Sequence, residues 1–160
     1  AFLAIGSGFI FQKMNVQNNI SPTNSLFTIA LTDQNKEIRT LNKYKNKWLI
    51  VNFWATWCAP CREEIPELNK FYTQNNIELI GLAIDEIEDV IEFQKKIPID
   101  YPSYIVKEIE GVSLSKQLGN DRGILPFTLI IQPNGVIKKT FYGKLKISDL
   151  NQALSDNHIQ

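Results

Sequence analysis

Residues 48–68 read WLIVNFWATWCAPCREEIPEL, and the order of residue types in that stretch decides the architecture. Residues 48–54 are a run of large and β-branched side chains, the composition of a strand covered on both faces. From Pro60 to residue 75 the pattern changes, with apolar Ile65, Leu68, Phe71 and Tyr72 recurring at helical spacing. Pro60 suits the first helical positions, because the N–H it lacks would have had no partner inside the helix. A strand therefore runs directly into a helix, and two cysteines lie at the junction.

The alternation continues outward. Residues 77–84 (IELIGLAI) form the next buried strand, and Val90, Ile91, Phe93 and Ile97 predict a second helix. Residues 127–131 make a strand that Pro133, Asn134 and Gly135 turn into a hairpin partner over 136–142, and Ile147, Leu150 and Leu154 mark a closing helix. Upstream, 26–31 and 37–41 flank Thr32, Asp33, Gln34 and Asn35 as a β-hairpin added before the main fold. Residues 99–123 are the least periodic part, with a short helix expected around 114–118. Strands separated by helices require parallel pairing with right-handed crossovers, and the late hairpin adds an antiparallel edge. The expectation is α/β, a mixed central sheet with helices on both faces.

Composition narrows the function. The 160 residues fit one domain of ordinary size, and 44% hydrophobic content supplies a core without disulfide staples. Lysine plus arginine and aspartate plus glutamate both number 17, so no basic field exists to hold nucleic acid. The lysine-rich segment 36–47 reads as a solvated face around Leu41 and Tyr44. Residues 1–11 (AFLAIGSGFIF) are apolar but too few to span a bilayer, and an Asn-rich polar run follows. We read 1–24 as the end of a signal or anchor segment plus a tether, and 25–160 as the folded domain.

Only two cysteines occur, Cys58 and Cys61, and the single histidine, His158, is remote in sequence, which leaves too few ligands for a structural zinc site. No metal is expected. The first turn of a helix presents unpaired N–H groups and the positive end of the dipole, so a thiolate at Cys58 is stabilised and becomes the nucleophile. Cys61, one turn further in, is expected to be more buried and to act as the resolving thiol. A CxxC pair beside a βαβ pattern favours redox use over a purely structural disulfide. The redox-active pair is the only cofactor expected.

The run VNFWATWCAPCREEIPEL (51–68), with Gly123-Ile124-Leu125-Pro126-Phe127-Thr128 and Asn134-Gly135, resembles the thioredoxin-like superfamily, and most closely its membrane-anchored TlpA/ResA/DsbE-like branch of thiol-disulfide oxidoreductases. The resemblance covers roughly residues 25 to 157. It implies a three-layer thioredoxin-like sandwich with the N-terminal hairpin and a central insertion before Leu125. It implies that Pro126 is a cis-proline beside the cysteines, preceded by Leu125, where an incoming chain is held by backbone hydrogen bonds. Trp57, Pro60, Leu125 and Pro126 are the candidate substrate-binding residues. Glu64 matches an acid in the branch's CxxCRxE pattern and either relays protons to the thiols or, like Glu63, is a solvated first-turn acid. Two departures from soluble thioredoxins stand out: Asn52 replaces a buried aspartate, and Gly81 replaces its lysine partner. Glu64 or water must then serve Cys61. Asp85 and Glu86 read as loop acids, and at least one of Trp54 and Trp57 as core.

The implied reaction is thiol-disulfide exchange, with reduction as the direction, because Ala59 and Pro60 bring no cation to favour the thiolate. The resemblance further implies an exported, disulfide-bearing protein substrate and an integral-membrane thiol donor, in the periplasm or at the outer face of the bacterial inner membrane. Apocytochrome c thiols, as in cytochrome c biogenesis, a copper-site assembly protein and other exported proteins all remain open as substrates. Two rival readings use the same sulfurs, a peroxiredoxin-type thiol peroxidase and a Cu(I) chaperone.

Overall fold

The structure is a computed structural model that describes residues 22–156. The anchor reading of the apolar start and His158 lie outside the described residues. In chain order the elements are α1 (Thr23–Thr28), β1 (Leu31–Thr32), β2 (Ile38–Arg39), a 3-10 turn (Asn42–Tyr44), β3 (Leu49–Trp54), α2 (Ala59–Gln74), β4 (Glu78–Ile84), α3 (Ile87–Gln94), β5 (Ser103–Val106), α4 (Glu108–Gln117), β6 (Phe127–Ile131), β7 (Ile137–Tyr142) and α5 (Ile147–Ser155). The strands form one seven-stranded mixed sheet in the order β2-β1-β5-β4-β3-β6-β7. β3, β4 and β5 pair in parallel, whereas β6, β7 and the N-terminal hairpin pair antiparallel, so the rims are β2 and β7.

Every residue of β3 is buried, as a central strand with both faces covered requires. Because side chains alternate, Leu49, Val51 and Phe53 enter one core with residues of α1 and α4, while Ile50 and Trp54 enter the opposite cores beside α2, α3 and α5. These are the three layers. α2 continues past Pro66, whose missing N–H leaves the Arg62 carbonyl without its usual helical donor.

Two expectations are corrected. Residues 26–28 belong to helix α1, and the hairpin is confined to two residues on each side. Leu26 and Phe27 are consecutive and both buried in one cluster, which a helical step of about 100° permits and strand alternation does not. Thr23 is also buried, with its hydroxyl donating to Gly135 O at 2.6 Å, so packing begins just ahead of residue 25.

The aperiodic segment 99–123 holds a full strand, β5, and a ten-residue helix, α4. The buried side of α4 is Gly111, Leu114, Ser115 and Leu118, a helical spacing that glycine and serine hide from any hydrophobic pattern. Glycine is needed there: a Cβ at position 111 would lie 2.8 Å from Val106 Cγ1 and 2.9 Å from Ile84 Cγ1.

Candidate active site

Cys58 is the N-cap of α2, and Ala59 and Pro60 open the helix. A disulfide joins Cys58 to Cys61, with Cα atoms 5.3 Å apart. Cys58 keeps 6% of its surface exposed and Cys61 none, the inequality expected of an attacking and a resolving sulfur. Trp57, immediately before the pair, is 66% exposed, whereas Trp54 is wholly buried against Phe93. Trp54 is therefore the core tryptophan, and Trp57 is the one a partner can touch.

The loop carrying Trp57 and Cys58 is fixed from the neighbouring strand. Asp85, at the end of β4, accepts through Oδ2 from both the backbone N–H (2.8 Å) and the hydroxyl (2.7 Å) of Thr56. Sequence reading set Asp85 aside as a loop acid. Its partner is 29 residues away in the chain, so no local spacing could have signalled the contact.

Glu64 is not a solvated acid. It is buried, accepting from Asn52 Nδ2 at 2.6 Å and from Leu145 N–H at 2.8 Å. Burial pushes its carboxyl up to about 7, against the lowering effect of those two hydrogen bonds. Asn52 also donates to Thr128 Oγ1 at 3.0 Å, so that β3, β6 and, through Glu64, α2 are linked by buried side chains. Glu63, the adjacent acid, does face solvent and pairs with Lys144 at 2.7 Å, whose hydrogen bond holds its carboxyl below the usual range.

The Leu125-Pro126 peptide is cis, and Leu125 packs against the cluster that contains both cysteines. The structure thus gathers Cys58, Cys61, Glu64, Trp57, Pro60 and Leu125-Pro126 around the junction of β3 and α2. Leu145 is a site neighbour that sequence reading missed. It joins through its backbone, 81 residues from Glu64, and nothing in its side chain advertises that.

Comparison with known proteins identifies the family and the fold. Residues 22–140 match the AhpC/TSA family. The thiol-disulfide oxidoreductase ResA of Geobacillus thermodenitrificans is 29% identical over 131 residues, covering 78% of this chain and 71% of that protein. ResA of Bacillus subtilis is 25% identical over 143 residues, covering 87% and 77%. Among solved structures, a thioredoxin-related protein from Neisseria meningitidis serogroup B superposes with a TM-score of 0.72 at 30% identity, covering 81% of this chain and 99% of that one. StoA from Bacillus subtilis, at 20% identity and a TM-score of 0.61 over 79% and 96% of the two chains, shares the fold. The chain belongs to the AhpC/TSA family and is a thioredoxin-like thiol-disulfide oxidoreductase.

Proposed function

We propose that this oxidoreductase works as a reductant of disulfides in exported proteins, with Cys58 as nucleophile, Cys61 as resolving thiol and Glu64 as the proton acceptor for Cys61. The observation that carries the reading is the pairing of a slightly exposed sulfur at a helix N-cap with a fully buried one, three residues before a buried carboxyl. In the reduced protein the Cys58 thiolate attacks the partner's disulfide. A Cys58-partner bond forms, and one partner sulfur leaves as thiolate. Cys61 then gives its proton to Glu64 and attacks the Cys58 sulfur, the second partner sulfur leaves, and the Cys58–Cys61 disulfide remains. The two electrons pass from this pair to the partner.

Glu64 suits that step because a carboxyl poised near 7 both takes and returns a proton at neutral pH. Asn52 cannot titrate, so it orients Glu64 rather than replacing it. Regeneration requires an external thiol. In this reading the sulfur pair carries the electrons, and a membrane-embedded thiol protein is the donor that an oxidoreductase acting on exported proteins would draw on. Exposed Trp57 and half-buried Pro60 and Leu125, backed by buried Pro126, are the residues this reading assigns to partner docking.

Replacing Cys61 with serine in the full chain tests the scheme, because the first mixed disulfide then has no resolving thiol. Covalent complexes resolved by non-reducing electrophoresis are expected. Their absence while Cys58 still reacts with an alkylating agent would overturn the two-step mechanism. The direction is checked by the reduction potential, and a value near about −120 mV would make the protein an oxidant instead.

A further inference from the structure

From Ile124 to Pro126, backbone hydrogen-bonding capacity is used up except at one residue. The Pro126 carbonyl accepts from Gly143 N–H at 2.8 Å, and proline has no N–H to offer. Ile124 is engaged at both groups by a single side chain: its N–H donates to Asn120 Oδ1 at 3.0 Å, and its carbonyl accepts from Asn120 Nδ2 at 2.9 Å. Among the described residues, Leu125 N–H and C=O have no partner. An extended chain lying beside the cysteines therefore meets one residue's worth of open backbone, with closed groups before and after it.

Asn120 is itself fixed. It is wholly buried, and it lies two residues past Leu118, the C-cap of α4. There its N–H donates to Ser115 O at 2.9 Å, while Gly119, at φ +105°, donates to Lys116 O at 3.0 Å, the paired bonds of a Schellman cap. The Asn120 carbonyl in turn accepts from Gly123 N–H at 3.0 Å. Tyr142 of β7 adds a tie at 2.9 Å to the Gly119 carbonyl. The orientation of the Ile124-Leu125 backbone is thus inherited from the end of α4 through one amide side chain.

We propose that Asn120 is a positioning residue for substrate recognition: by clasping both backbone groups of Ile124 it presents the free N–H and C=O of Leu125 to an extended polypeptide segment flanking the target disulfide. This rests on the exchange activity proposed above and adds a determinant for the peptide part of the substrate, separate from the sulfur chemistry. Asn120 touches neither sulfur, so its loss weakens docking of a chain and leaves the exchange step itself intact.

The test compares two oxidised substrates on wild-type protein and on Asn120→Ala: a disulfide-bearing unfolded polypeptide, and 2-hydroxyethyl disulfide, which has no backbone to pair. With Asn120→Ala, KM for the polypeptide is expected to rise about tenfold, the loss of roughly one good hydrogen bond, with kcat and the small-disulfide rate within twofold of wild type. Asn120→Asp provides rescue. Its protonated carboxyl matches the amide's donor and acceptor, so KM should approach wild type at low pH and climb as the side chain ionises and turns a second oxygen on the Ile124 carbonyl. Equal losses on both substrates, or an unchanged polypeptide KM in Asn120→Ala, would overturn the proposal. Should Asn120→Ala not fold, a polypeptide KM in Asn120→Asp that does not vary with pH would do the same. A wild-type protein inactive on both substrates would instead refute the exchange reading beneath it.

Discussion

The two faces of the central sheet are built on different terms. On the face covered by α1 and α4, β3, β4 and β6 contribute Val51, Phe53, Ile80, Leu82, Phe127 and Leu129, all fully buried and all apolar. On the face covered by α2, the paired positions Thr128, Asn52, Gly81 and Ser103 run as a row across β6, β3, β4 and β5. Glu64 hydrogen-bonds into that row from above. Trp54 Nε1, Ser103 Oγ, Tyr101 OH and Asn52 Oδ1 lie on this side buried and without protein hydrogen-bond partners. The apolar face supplies cohesion, and the polar face accepts the cost of buried polar atoms on the side of the sheet that α2 covers. Stability and chemistry are therefore assigned to opposite sides of one sheet, and mutations should separate them.

The largest effect is expected on the apolar side. Phe53→Ala empties a fully buried site against Phe127 and should cost about 3–5 kcal/mol in denaturant unfolding, with the reduction potential of the surviving folded protein unchanged. Next comes Glu64→Gln on the polar side. The folded state keeps the Glu64 proton up to about 7, while the unfolded chain releases it near 4.5. Stability from this group is accordingly full below about pH 4.5 and is lost as pH rises through 7. Glutamine cannot ionise, and the Asn52 amide can turn its unpartnered Oδ1 toward it. Unfolding at pH 5 and pH 9 should show wild type losing up to about 3 kcal/mol relative to the variant, and resolution of the mixed disulfide should slow. A pH-independent difference would remove Glu64 from the proton path.

Gly111→Ala probes how closely α4 sits on the apolar face. Its added Cβ meets Val106 and Ile84 inside contact distance, so a loss of about 1–3 kcal/mol is expected by chemical denaturation. The smallest effect belongs to Glu63→Gln. It breaks an exposed, solvent-screened pair with Lys144 and should leave the denaturant midpoint, the exchange rate and its pH profile essentially unchanged. A large kinetic effect there would mean that the neighbouring acids had been assigned the wrong way round.

The legibility of the sequence follows the same division. β3, α2, β4 and β6 carry strong apolar patterns, and these are the elements read at nearly their observed bounds. The cysteines, Pro126 and Glu64 were found through a compact local motif. What escaped were long-range bonds to backbone or to small polar groups. Asp85 holding Thr56 and Leu145 capping Glu64 each depend on where the fold brings the chain back, which neither residue type nor spacing encodes, whereas Asn120 clasps Ile124 only four residues on, in a turn that no apolar pattern marks. α4 and β5 escaped for a steric reason, since close packing at Gly111 replaces an apolar side chain with a hydrogen atom.

The two rims of the sheet carry a last consequence. β2 is only two residues long and ends in Arg39, and β7 carries Lys138 and Lys139, features that discourage a foreign strand from adding to a sheet margin. A protein that exchanges disulfides with other proteins must meet a chain without becoming a template for its aggregation. Short, charged margins keep an encounter at the sulfurs from turning into strand addition at the rim and the seeding of a fibre.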